Sequence, residues 1–288
     1  MKILFPKHFG MCFGVRDAIE ATEHITNPET VTIYGELVHN PIIKERLAAR
    51  GFVQFTERGR ADSPATLPST SHVLITAHGI SGAERGKLAS EGLRLIDTTC
   101  PLVRNAHAAA LTLASENRLI IIVGLADHVE VRGLTGDLRE YVVIASAEEA
   151  KKYDHDRIGI LSQTTTHPAV FAAAARKVKL LNPQADVRVI DTICKPTRDR
   201  QESLDDLLTI IDALVVVGGK HSRNTKELAA TAERAGVRTL HIENVNEIDK
   251  AWFSGMEAVG LTAGTSTLPE TLDEIHQFLQ TIETEVKL

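Results

Sequence analysis

The chain has 288 residues, 43% hydrophobic and 24% charged, with a net charge of −6. This is the composition of a globular protein able to bury a sizeable core, and the acidic balance disfavours a nucleic-acid partner held by bulk electrostatics. The three cysteines, Cys12, Cys100 and Cys194, cannot all pair and none lies in a C-x-x-C, which argues against a disulfide scaffold, a zinc ribbon or a thioredoxin-like site. Strands are expected at 3–5, 31–34, 73–76, 119–123, 141–144, 158–161, 187–190, 213–217, 239–242 and 258–261. Several, such as Leu-Ile-Ile-Ile-Val and Ala-Leu-Val-Val-Val, are continuous apolar runs that suit strands buried on both faces of a parallel sheet. Amphipathic helices fall between them. One carries Val15, Ala18, Ile19, Thr22 and Ile25, and another Leu204, Leu207, Leu208 and Ile211. Pro168 suits the first turn of a helix running toward Leu181, and Thr267-x-x-Glu270 reads as a capping box opening a last helix. Residues 61–70 are expected to form a surface loop. The alternation predicts an α/β fold.

The longest apolar run, residues 119–126, is far short of the ~20 residues of a membrane span. The opening Met-Lys-Ile-Leu-Phe-Pro-Lys is too short an apolar run for a signal peptide. With free thiols, these features lead to an expected reducing, cytoplasmic location and no membrane partner.

Length alone suggests about two domains, but a repeat argues for three. Leu-Ile-Asp-Thr-Thr-Cys-Pro ends at Pro101 and Val-Ile-Asp-Thr-Ile-Cys-Lys-Pro at Pro196. Both read as a strand, Asp-Thr, Cys and then a helix. Cys12 has a similar context, between a strand and a helix, in a loop bracketed by Gly10 and Gly14. Self-similarity at this period indicates repeated domains. The expected divisions are 1–97, 98–191 and 192–288, with one cysteine each and the extreme N-terminus free to pack on the third.

A helix N-terminus carries roughly half a positive charge, which stabilises a thiolate. Three such thiolates would form a soft-metal site. Iron–sulfur clusters prefer thiolate ligands, and a cubane normally takes four, so three would leave one iron open to substrate. Lone cysteines are often inert core residues, and spacing alone leaves zinc open as an alternative.

Ligands of open α/β sheets bind beyond the carboxyl ends of strands. There the sequence places His39, His78 and His128 in three loops. It places Thr164 and Thr165, Ser222 to Thr225, and Gly264-Thr265-Ser266-Thr267 in three others. This inventory suits a small, multiply charged anion such as a diphosphate. Lys220 and His221 also read as plain surface charge. Glu130, two residues after His128, is a candidate proton donor. No Walker A sequence and no complete G-x-G-x-x-G follow a strand, so nucleotide binding is not indicated.

Together these motifs resemble the LytB-type 4-hydroxy-3-methylbut-2-enyl diphosphate reductases, iron–sulfur enzymes of the non-mevalonate isoprenoid pathway. The resemblance rests on Gly-x-Cys-x-Gly-Val at 10–15, Val-His-Asn at 38–40, Ala-His-Gly at 77–79 and Asp-x-Thr-Cys-Pro-Leu-Val at 97–103. It continues with Gln-Thr-Thr at 163–165, Asp-x-Ile-Cys at 191–194, Arg-Gln at 200–201, Ser-x-Asn-Thr at 222–225 and Thr-Ala-Gly-x-Ser at 262–266. It implies three α/β domains in a pseudo-threefold arrangement around one 4Fe-4S cluster held by Cys12, Cys100 and Cys194. It implies a substrate pocket of His39, His78, His128, Thr164, Thr165, Ser222, Asn224 and Ser266, and a catalytic set of Glu130, Thr164 and His128. The implied reaction is a reductive dehydroxylation of an allylic diphosphate, with a ferredoxin or flavodoxin supplying electrons.

The chain departs from the family pattern at Leu125 and Val129, where His and Pro are usual, at Arg223, where Ser is usual, and at Asp199, where Asn is usual. Arg223 is a candidate to pair a phosphate. Leu125, Val129 and Arg223 motivate one alternative, a paralogous reductase of another allylic or phosphorylated alcohol. An alternative of another class, which needs no proton donor, is a non-catalytic iron–sulfur sensor or binding module.

Overall fold

The structure, a computed structural model, describes residues 1–55, 67–220 and 222–285; the side chains of Arg223 and of residues 283–285 lie outside that description. Residues 61–66 of the expected surface loop and His221 therefore fall outside the described residues. The rest forms three sheets of four strands, parallel throughout.

The first sheet contains β1 (Lys2–Leu4), β10 (Ala213–Val217), β11 (Arg238–Ile242) and β12 (Ala258–Ala263), in the order β1-β12-β10-β11. The second has β2 (Val31–Tyr34), β3 (Val53–Phe55), β4 (His72–Ile75) and β5 (Arg94–Asp97), in the order β3-β2-β4-β5. The third has β6 (Leu119–Val123), β7 (Tyr141–Ile144), β8 (Arg157–Ser162) and β9 (Asp186–Val189), in the order β7-β6-β8-β9. Read from the other edge, the first sheet runs β11-β10-β12-β1. One topology therefore occurs three times, and in the first sheet its last strand comes from the chain's N-terminus. The strand order reverses at β10/β12, β2/β4 and β6/β8, the switch points where open α/β sheets bind ligands.

The chain divides into two compact units. One comprises Met1–Arg16, His39–Ile43 and Arg198–Leu288, and contains the first sheet. The other comprises Asp17–Val38 and Lys44–Thr197, and contains the second and third sheets.

The apolar strand runs are buried on both faces, as their composition requires. In the third sheet Leu119, Ile121 and Val123 pack with Phe171, Ala174 and Val178 of the helix Pro168–Leu181. The alternate residues Ile120 and Ile122 pack with Ala106, Ala110 and Leu113 of the helix Pro101–Ser115. Truncating one such isoleucine to alanine costs about 2–5 kcal/mol. In the first sheet Val215 and Val217 meet Leu272, Ile275 and Leu279 of the helix Pro269–Glu285, while Leu214 and Val216 meet Leu204, Leu207 and Leu228.

Pro168 opens its helix, where a missing N–H has no consequence. The capping-box reading at Thr267 needs correction. The last helix begins at Pro269, and the Thr267 hydroxyl donates to the Val217 carbonyl at 2.9 Å. Among the described residues no helix is long and apolar enough to cross a membrane.

Candidate functional site

The three cysteines occupy the same position relative to the sheets and helices. Each follows the edge strand of one sheet and immediately precedes a helix: Phe13–Glu23 after Cys12, Pro101–Ser115 after Cys100, and Lys195–Leu208 after Cys194. Each carbonyl accepts the opening bond of its helix, from Arg16 N–H, Arg104 N–H and Thr197 N–H, all at 3.0 Å. Each amide donates to the loop beyond the neighbouring strand: Cys12 to the Thr265 carbonyl at 3.4 Å, Cys100 to Ala77 at 3.0 Å and Cys194 to Thr164 at 2.9 Å. The thiols are partly exposed and none is in a disulfide.

The repeated Asp-Thr now has a physical reason. The Thr98 hydroxyl donates to the Ile75 carbonyl at the end of β4, and the Thr192 hydroxyl to the Ser162 carbonyl at the end of β8, both at 2.6 Å. Each ties the edge strand to its neighbour just before the cysteine. Asp97 Oδ1 accepts from the Thr99 amide at 2.9 Å, and Asp191 Oδ1 from the Ile193 amide at 3.0 Å. Burial alone would raise the Asp97 pKa. Its bonds from Thr99 and from Arg85 outweigh that and hold the pKa below the ordinary value. The Cys12 loop lacks this pair. Buried Arg200 donates to the Gly10 carbonyl at 2.7 Å instead, and the Gly10 amide donates to Ala263 at 3.1 Å.

In the unit with the second and third sheets, the loops beyond β4, β6 and β8 supply the candidate chemistry. Glu130, 2% exposed, lies in the first turn of the helix Val129–Thr135. Its Oε1 accepts the Thr164 amide at 2.7 Å and its Oε2 accepts the Thr164 hydroxyl at 2.9 Å. His128 caps the same helix, Nδ1 accepting the Glu130 amide at 3.1 Å. A neutral His128 therefore carries its proton on Nε2 and presents a donor. The His78 ring lies edge-on to His128 with centroids 5.6 Å apart. Gly79, at φ +73, brings this loop onto Thr99, where a Cβ would meet Cγ2 at 2.9 Å.

Val129, where the family pattern has Pro, takes the first helical position and is buried. An N–H there needs no helical partner, so the substitution leaves the helix start unchanged. Gln163, which the sequence marks only as the first residue of Gln-Thr-Thr, joins two of these loops. It is fully buried, its Nε2 donates to Thr165 Oγ1 at 3.1 Å, and its Oε1 accepts the Leu125 amide at 3.3 Å.

In the other unit, the loops beyond β10 and β12 bring together Ser222, Asn224 and Ser266 with His39. Ser222 caps the helix Arg223–Arg234. The Ser266 hydroxyl donates to the His39 carbonyl at 3.0 Å, and Asn40 Nδ2 to the Ser266 carbonyl at 2.5 Å. Asn224 Nδ2 is buried with no hydrogen-bond partner among the described residues. Arg223 begins its helix, and its side chain lies outside the described residues.

Among the described residues no three His, Cys, Asp or Glu side chains are grouped as a metal-ion site. The donor set nonetheless fits an iron–sulfur cluster, because such clusters take cysteine sulfur as ligand and all three partly exposed cysteines occupy one backbone position ahead of a helix. A buried carboxylate held on a threonine hydroxyl at a sheet's switch point is the furniture of an α/β enzyme. The comparisons narrow this. The model of the LytB protein family matches residues 3–280, and the chain belongs to that family.

Two similar relatives are 4-hydroxy-3-methylbut-2-enyl diphosphate reductases. The Geobacter sp. (strain M21) protein is 34% identical over 294 residues, covering 98% of each chain. The Aquifex aeolicus protein is 32% identical over 287 residues, covering 97% of this chain and 96% of its own. Two solved structures are similar as well. One is the E-1-hydroxy-2-methyl-but-2-enyl-4-diphosphate reductase of Plasmodium falciparum, with TM-score 0.84 and 27% identity, covering 97% of this chain and 87% of its own. The other is an (E)-4-hydroxy-3-methyl-but-2-enyl diphosphate reductase, described as the terminal enzyme of the non-mevalonate pathway. It has TM-score 0.68 and 32% identity, covering 97% of this chain and 99% of its own.

Proposed function

We propose that this chain is an oxidoreductase of isoprenoid biosynthesis. It would convert 4-hydroxy-3-methylbut-2-enyl diphosphate to isopentenyl and dimethylallyl diphosphates. The reaction replaces an allylic C–OH by C–H, consuming two electrons and two protons and releasing water. Cys12, Cys100 and Cys194 would hold one 4Fe-4S cluster with one iron open to substrate, and when bound it supplies the electrons and a Lewis acid for the hydroxyl. A ferredoxin or flavodoxin would deliver the electrons. Three thiols outside disulfides accord with a reducing, cytoplasmic setting.

The observation that carries this reading is the Glu130–Thr164 pair. Thr164 gives its one hydroxyl proton to Glu130 Oε2 and keeps lone pairs to accept from a substrate hydroxyl. Oε1 is taken by the Thr164 amide, so a proton arriving at Glu130 belongs on Oε2. The hydrogen bond then reverses: Glu130 donates to Thr164, and Thr164 donates to the departing hydroxyl, which leaves as water. His39, His78, His128, Thr165, Ser222, Arg223, Asn224 and Ser266 would bind the diphosphate. Nε2–H of His128 does so without a permanent charge, in keeping with the acidic chain.

A cluster-bearing sensor has no use for a buried proton donor. The test is anaerobic turnover of this diphosphate with a reduced dye, in the native chain and in Glu130→Gln. Turnover that the variant loses supports the proposal, and a fully loaded native protein without turnover defeats it.

A further inference from the structure

His78 and His128 come from loops of two different sheets, and their edge-to-face ring contact is weak beside charge-assisted hydrogen bonds. A stronger tie between the two loops lies at the far end of the helix that His128 caps. That helix, Val129–Thr135, spans ~10 Å and ends at Gly136. The next residue, Asp137, reaches the start of the helix Gly82–Ser90, which follows the His78 loop. Its Oδ2 accepts the Gly82 amide at 2.5 Å and its Oδ1 the Ala83 amide at 2.8 Å. Ser81 Oγ accepts the third amide, Glu84, at 3.1 Å.

One glycine allows the close approach: a Cβ on Gly136 would meet Ser81 Cβ at 2.6 Å. On the same helix Gly133 faces the His107 ring, where a Cβ would sit at an ordinary contact distance of 3.4 Å. Burial lowers the His107 pKa against the opposing pull of Asp137, with help from Arg85, so the ring packs there uncharged.

We infer that Asp137 is a positioning residue, clamping the His78 loop to the His128 helix and thereby setting the spacing of the two histidines. A carboxylate is suited to the place, because it complements the positive end of the helix and accepts two amides at once. The inference rests on the proposed function for its kinetic consequence, but not for its geometry.

The test uses anaerobically purified holoenzyme carrying Asp137→Asn, which loses the charge and one acceptor. Gly136→Ala opens the clamp from the other side without touching the carboxylate. Each should raise KM for the diphosphate on the order of tenfold, the loss of one charge-assisted bond, with kcat and iron content little changed. In a His78→Ala background the same changes should have little further effect, because Asp137 acts through His78. A lowered Tm with unchanged KM in both variants overturns the inference, as does an equal rise in KM when His78 is absent. If the native protein does not turn over the diphosphate, crystal structures of the same variants decide. A His78–His128 centroid separation moved from 5.6 Å supports the clamp, and an unmoved one overturns it.

Discussion

The Cys194 amide donates to the Thr164 carbonyl at 2.9 Å, while the side chain and amide of the same threonine are bonded to Glu130. One residue thus connects a candidate cluster ligand to the candidate proton donor. The equivalent bonds Cys12–Thr265 and Cys100–Ala77 stand beside Ser266 and His78. The repeated topology therefore fixes each thiol to a loop that also carries a substrate-binding candidate.

Replacing Glu130 with glutamine keeps the shape and removes the acid. We expect kcat to fall by about 10²–10⁴, the usual range for a general acid, with iron content unchanged. Steady-state turnover with a reduced dye measures the first and a colorimetric iron assay the second. An unchanged kcat would assign Glu130 a purely structural role.

Thr164→Ser retains the hydroxyl bonded to Glu130, whereas Thr164→Val removes it and leaves the carboxylate short of one partner. Serine should keep most of the native rate. Valine should lose at least about tenfold in rate and about 1–3 kcal/mol in stability, the cost of an unsatisfied buried acceptor. Equal rates in the two variants would exclude the hydroxyl from the proton path.

Each cysteine changed singly to alanine should lower bound iron after anaerobic reconstitution and leave the far-ultraviolet circular dichroism native, because the cysteines stand just ahead of their helices and are partly exposed. Full iron retention in any one variant would remove that cysteine from the ligand set.

Asp97 carries a depressed pKa, so its bonds to Thr99 and Arg85 stabilise the fold above the unfolded carboxylate value of about 3.9 and lose effect as pH falls through the folded value. Asp97→Asn should therefore be less stable than the native chain at neutral pH, and the difference should narrow as pH falls below about 4. Urea midpoints measured from pH 7 to pH 3 test this. A constant difference across that range would contradict it.

Much of the fold was legible because its signals are local. Leu119 to Val123 read as a strand buried on two faces, and the structure sends alternate residues to opposite helices. The cysteine repeat anticipated three equivalent thiols at helix starts. Less legible were features made by distant residues. The sequence left the extreme N-terminus free to pack on the third domain, but nothing local specifies the register by which residues 2–4 pair with 258–260 and build β1 into the first sheet. The strand Val53–Phe55 is a short edge with no fully buried residue, so its periodicity is weak. Gln163 joins two loops through partners with no local signature, and Asp137 caps a helix 55 positions earlier in the chain. Thr267 misled because its sequence context matches a cap while its hydroxyl is drawn to a strand carbonyl.

Cluster content and turnover, measured together on one anaerobic preparation, test the central claim most directly. The account predicts about four irons and four sulfides per chain, with reduction of 4-hydroxy-3-methylbut-2-enyl diphosphate to its two five-carbon products. A preparation with the full complement of iron and sulfide that leaves this diphosphate unchanged would contradict it.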